Sequence, residues 1–275
     1  MASPGAVREA GQRPAWRARA GLSYRILSLG DAALTIEFGD AIDRRLLAEV
    51  AAADQALLQA LASGQLPGVV ETVPTFRSLT VIYDPLRSTR TRVEAAIDAA
   101  LRQAAPLVVG QRRRVWQLPV CYGDQLSECG PDLDGLAAAC GLSAAEVVRL
   151  HAGGCYEVYM LGFLPGFAFM GDLPPALACA RRSEPRTLVP AGSVATAGRL
   201  TAIYPWESPG GWQLIGACPL PLFSPSWTQP ALLQAGDRVR LRAIDAGEFA
   251  ALQAAAPALR RATQPPLAFL AAAAE

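Results

Sequence analysis

Apolar and polar residues alternate over residues 23–38. There "SYRILSL" and "AALTIEF" read as two short strands joined at Gly30-Asp31, a hairpin signal. The period then changes. Leu46, Leu47, Val50, Leu57, Leu58 and Leu61 fall on one face of a helix over 41–62, stopped by Gly64 and Pro67. "GVVETV" and "SLTVIYD" return to strand, and "TRTRVEAAIDAALRQA" returns to helix. The order ββαββα predicts a small α+β domain, with helices on one face of an antiparallel sheet. We place it at residues 21–108, after an extension at 1–20 expected to be disordered. The run Arg112-Arg113-Arg114 reads as a solvated linker.

The second half opens with the strand "RVWQLPVCY" and continues with helices at about 132–140 and 143–150. Ser143 and Glu146 form a capping box, in which the serine oxygen accepts from the third helical N–H and the glutamate reaches back. His151 is then expected at or just past the helix end, before the Gly153-Gly154 break. From 155 to 243 only short strands broken by Gly and Pro remain, the pattern of an antiparallel barrel or sandwich. This domain is placed at 109–245. One amphipathic helix and a Pro-Ala tail follow at 246–275.

Composition narrows the choice. Of 275 residues 52% are apolar, enough for a sizeable core, and the formal net charge is +1. Neither nucleic acid nor an anionic membrane is expected as a partner. No run reaches the ~18 apolar residues of a membrane span, and the first 20 residues lack the apolar core of a secretory signal. All 25 basic residues are arginine, so a P-loop lysine and a lysine Schiff base are both excluded. The six cysteines form no C-x-x-C pair, and there is one histidine, so no metal site is expected. The expectation is a reduced, cytoplasmic protein.

Three stretches are dense in Gly and Pro and carry polar groups: 151–171, 181–198 and 204–216. Such loops let backbone N–H groups approach a ligand. Their side chains include His151, Arg181, Arg186, Ser193, Glu207 and Gln213. Guanidinium groups hold carboxylates bidentately, and glycine N–H groups can hold an oxyanion, so the set suits a small carboxylate or amide. Two readings of His151 stand at this point: a satisfied core or helix-end residue, or the acid/base of a site.

"VYMLGFLPGFAFMG", "PRTLVPAGSV" and "YPWESPGGWQLIGACPLPLF" resemble the bacterial 5-oxoprolinase B-subunit family, also described as allophanate hydrolase subunit 1 and including an inhibitor of a sporulation histidine kinase. The resemblance runs from about residue 23 to 243. It implies an α+β N-terminal domain plus a mainly-β, cyclophilin-like barrel domain. It also implies two partners, a sister C subunit of related barrel fold and an A subunit. The implied reaction is ATP-dependent opening of the lactam 5-oxoproline to L-glutamate, with ATP and Mg2+ used by the assembled complex and neither held tightly by this chain alone. The alternatives it carries are a regulatory protein that inhibits a histidine kinase, and a carboxyltransferase-like subunit whose substrates are urea-type amides. By position, His151 and Arg186 match as catalytic residues, with His151 expected at a pocket rim as acid/base. Arg181, Gly192, Ser193, Pro209, Gly210, Gly211 and Gln213 match as substrate-binding residues. The chain departs from the family pattern at Leu200, where glutamine is usual, at Ala195 and Ala202, where glycines are usual, and at Ala168 and Asp172.

Overall fold

A computed structural model describes residues 15–19, 22–103 and 114–269. The chain divides into two compact units, Met1–Val109 and Gly110–Glu275. Most of the expected N-terminal extension, the arginines at 112 and 113, and the last six residues lie outside the described residues.

In the first unit, strands β1 (Arg17–Arg19), β2 (Leu22–Leu29), β3 (Ala33–Glu37), β4 (Val69–Pro74) and β5 (Ser78–Tyr83) form one antiparallel sheet in the order β1-β2-β3-β5-β4. Residues 17–19, expected in a disordered stretch, thus pair with β2. Alternation decides which face is buried: Tyr24 and Ile26, Leu34 and Ile36, and Leu79 and Val81 all point inward. Helices α1 (Arg44–Ala62) and α2 (Arg90–Gln103) bring Val50, Leu57, Val93 and Ile97 to the same core. The α1 start is fixed by Asp43, whose carboxylate accepts from Leu46 N at 2.8 Å.

The second unit is a closed barrel of seven strands. They are β6 (Val115–Tyr122), β7 (Cys155–Leu161), β8 (Ala168–Gly171), β10 (Ser193–Ala197), β11 (Leu200–Ile203), β13 (Gln213–Ala217) and β14 (Arg238–Ile244). Their order around the ring is β10-β11-β8-β7-β14-β6-β13. The fold class, an α+β unit plus a mainly-β barrel unit, is as expected; the purely antiparallel barrel is corrected. Seven is odd, and strands that alternate in direction cannot close an odd ring. One pair must run parallel, and it is β6 with β14, in register from Val115↔Arg238 to Cys121↔Ile244. Trp116, Leu118, Val120, Val158, Met170 and Val239 fill the interior.

Strands β9 (Arg186–Val189) and β12 (Ser208–Gly210) form a separate two-stranded ribbon. Helices α3 (Leu133–Cys140) and α4 (Ala144–Ala152) add Leu133, Leu136 and Val147 to the barrel core. The α4 capping box is present as expected. Helix α5 (Ala246–Arg261) follows β14 and buries none of its side chains fully.

Candidate functional site

His151 lies in the last turn of α4 and is 0% exposed. Its Nδ1 is 2.8 Å from the Tyr122 hydroxyl and its Nε2 is 2.9 Å from Thr201 Oγ1. Its carbonyl accepts from the Tyr156 hydroxyl at 2.7 Å. Burial pushes its pKa down to about 3, so the ring is neutral at physiological pH. The expected place at a pocket rim is therefore corrected. A short helix drives its final turn into the barrel core, and the imidazole ties α4 to β6 and β11 there.

The arginines come together elsewhere. The β9–β12 ribbon pairs Arg186 with Gly210 and Val189 with Ser208. Around it, Arg182 N donates to Gly211 O at 2.8 Å and Gln213 Nε2 donates to Ala180 O at 3.1 Å. Residues 180–186 are thereby stitched to 208–213. The Arg181 guanidinium lies 5.8 Å from the Trp212 ring centroid, a cation–π contact. Trp212 belongs to an aromatic group centred on Phe167, whose ring lies 5.1 Å from Tyr204, 6.1 Å from Trp212 and 4.8 Å from Phe169. Trp206 Nε1 donates to Pro165 O at 3.0 Å and so fastens the third glycine-rich stretch to the first.

Asp132 organises this cluster, and sequence reasoning missed it. It stands at the start of α3, where a carboxylate normally caps the helix, yet it makes no cap. Its Oδ1 accepts from Arg186 Nη2 at 2.7 Å and from Arg182 Nη1 at 3.1 Å. Its Oδ2 accepts from Leu214 N at 2.7 Å, while its own N–H donates to Leu214 O at 2.9 Å. Two guanidiniums thus share one nearly buried carboxylate, which leaves a surplus positive charge. Arg186 Nη1 and Arg182 Nε are buried without an acceptor. With Arg181 close by, this cluster favours an anion.

Arg181, Arg186, Pro209, Gly210, Gly211 and Gln213 therefore gather around one two-stranded ribbon, whereas Gly192 and Ser193 do not join them. Gly192 has φ 88° and hydrogen-bonds Tyr204 O and Cys218 N through its own N–H and carbonyl. It lines a groove of about 490 Å³ with Cys218, Phe249, Gln253 and Arg260, between the barrel and α5. Ser193 is buried in β10. Among the described residues no three His, Cys, Asp or Glu side chains converge in a metal-binding group, and no helix is long and apolar enough to cross a membrane.

The carboxyltransferase domain, subdomain C and D, matches residues 24–233. The 5-oxoprolinase B subunit of Bacillus subtilis (strain 168) is 40% identical over 240 residues, which cover 82% of this chain and 95% of that protein. The 5-oxoprolinase B subunit of Escherichia coli O157:H7 is 45% identical over 177 residues, 64% of this chain and 78% of that protein. Among solved structures, the Kluyveromyces lactis urea carboxylase superposes on 94% of this chain and 25% of its own with a TM-score of 0.73; at 16% identity the likeness is one of fold. Identity at this level over nearly the whole length of a relative places the chain: it belongs to the 5-oxoprolinase B-subunit family, built on carboxyltransferase subdomains C and D.

Proposed function

We propose that this chain is the B subunit of a 5-oxoprolinase and works with partner A and C subunits to open 5-oxoproline to L-glutamate. The observation that carries the reading is the 40% identity to a 5-oxoprolinase B subunit over 95% of that protein. The arginine cluster agrees with it. 5-Oxoproline is a flat five-membered lactam with one carboxylate. The surplus charge around Asp132, Arg182 and Arg186 suits the carboxylate. Fastening the 180–186 and 208–213 segments together fixes these groups before substrate arrives, which lowers the ordering cost of binding.

A lactam is a poor electrophile, and ATP supplies the activation that water alone does not. The chain has no lysine to hold a nucleotide's phosphates as a P-loop does. The reading therefore gives ATP binding to a partner in the complex and gives this chain the positioning of the lactam. Its six cysteines are free, in keeping with a reducing compartment such as the cytoplasm.

Co-expression with the partner subunits, followed by an assay for glutamate from 5-oxoproline and ATP, tests the proposal. Turnover that disappears when this chain is left out is the expected result. Equal turnover without it contradicts the reading.

A further inference from the structure

The chain has six tyrosines. Five have hydroxyls with a partner: Tyr24 with Asp98, Tyr83 with Asp31 O, Tyr122 with His151, Tyr156 with His151 O and Tyr159 with Asp172. The sixth, Tyr204, is 2% exposed, and its hydroxyl has no hydrogen-bond partner among the described residues. The ring is buried, but the hydroxyl is not one of the enclosed side-chain atoms left without a partner, so it keeps an opening through which to bond. The ring is held edge-on against Phe167 at 5.1 Å. The hydroxyl comes up beneath Gly210, where a Cβ would lie 2.4 Å from it. Glycine at 210 is what leaves room for the hydroxyl. Arg181 and Arg186 are near enough for their charge to act on the hydroxyl.

Resting on the function proposed above, we infer that the Tyr204 hydroxyl is the neutral hydrogen-bond donor beside the arginines of this ribbon. It meets the ring carbonyl oxygen of a small lactam carboxylate while Arg186 meets the carboxylate. Guanidiniums select the charged end of such a ligand. A phenol selects a carbonyl, whose oxygen gains charge as the amide is attacked. Burial raises the Tyr204 pKa, against the opposing pull of Arg181 and Arg186, so at neutral pH the group is a donor and not a base. No bond to Tyr204 is made or broken.

The test is steady-state turnover of 5-oxoproline by the assembled complex carrying Tyr204→Phe, with Tyr156→Phe as the comparison and melting curves of both. Loss of a donor to a developing oxyanion lowers kcat on the order of 100-fold, with KM little changed and the melting temperature kept, because no protein hydrogen bond is lost. Tyr156→Phe should lose melting temperature and keep kcat. Gly210→Ala, which caps the hydroxyl, should lower kcat as Tyr204→Phe does. An active wild-type complex with an equally active Tyr204→Phe overturns the inference and leaves the parent reading standing. So does a Tyr204→Phe variant that loses melting temperature in step with Tyr156→Phe. A wild-type complex that makes no glutamate overturns the parent reading itself.

Discussion

His151 Nε2 lies 2.9 Å from Thr201 Oγ1, and Thr201 gives its own hydrogen to Ala195 O at 3.1 Å. A hydroxyl has one hydrogen, so here it must accept from the imidazole. Nε2 therefore carries the proton, and Nδ1 accepts from the Tyr122 hydroxyl. Every polar atom of the ring is satisfied by the fold and none faces a ligand.

Replacing His151 with Ala should destabilise the chain by roughly 2–4 kcal/mol, because it leaves a cavity and strands the Tyr122 and Thr201 hydroxyls. Turnover per folded complex should not change. Urea unfolding and activity normalised to folded protein check this together; a large loss of kcat at unchanged stability is the opposite outcome.

The same histidine sets a pH dependence. Its folded pKa is depressed to about 3 from the ordinary 6.5. Above pH 6.5 both states are neutral and the group contributes no slope. Below it the unfolded chain binds a proton that the folded chain does not, so stability falls with pH by up to about 1.4 kcal/mol per unit until the folded pKa is reached. The stability gap between wild type and His151→Gln, which does not titrate, should therefore narrow from pH 7 to pH 5. A constant gap would show that the folded imidazole takes up its proton normally.

Asp132→Asn should cost about 2 kcal/mol, since charge-assisted bonds to two guanidiniums are weakened at once. Arg182→Gln should cost less: its side chain is 37% exposed, and Arg186 keeps the carboxylate paired. Chemical denaturation of the two variants gives the order, and the reverse order contradicts the placement of Asp132 at the centre of the cluster.

Gly192→Ala should behave as a fold lesion and not as a binding lesion. A Cβ at this positive φ would sit 2.6 Å from Cys218 O, and strain of this kind costs about 1–3 kcal/mol before the clash is counted. The melting temperature should fall, while KM of the surviving folded complex stays at the wild-type value.

Local signals in the sequence were enough for most elements, though not for β1 (Arg17–Arg19), which falls in the stretch expected to be disordered. The i, i+3, i+4 spacing of Leu46, Leu47 and Val50 marks α1, alternation at Leu79, Val81 and Tyr83 marks β5, and Ser143 with Glu146 marks the start of α4. Long-range relations were not legible. The parallel β6–β14 pair joins strands more than a hundred residues apart, and only the odd ring of seven demands it. His151 looked accessible because a Gly-Gly break follows it, but the break turns the chain directly into β7 and leaves the imidazole inside. Asp132 was missed because its partners, Arg182, Arg186 and Leu214, are 50 to 82 residues away. Tyr204 carried no signal, since an unpaired hydroxyl is visible only once all its neighbours are placed. What did survive is the local grouping around Arg186, Gly210 and Gln213, because a short antiparallel ribbon holds them in register.

On the function proposed, the arginines on Asp132, and not the histidine, hold the substrate. Arg186→Lys tests it most directly, because it keeps the charge and removes the fork that grips a carboxylate through two parallel bonds. The measurement is KM for 5-oxoproline in the assembled complex. The account predicts a rise of about tenfold, the equivalent of ~1.4 kcal/mol of binding, with the melting temperature nearly kept. KM and kcat both at wild-type values in a folded Arg186→Lys complex would contradict it.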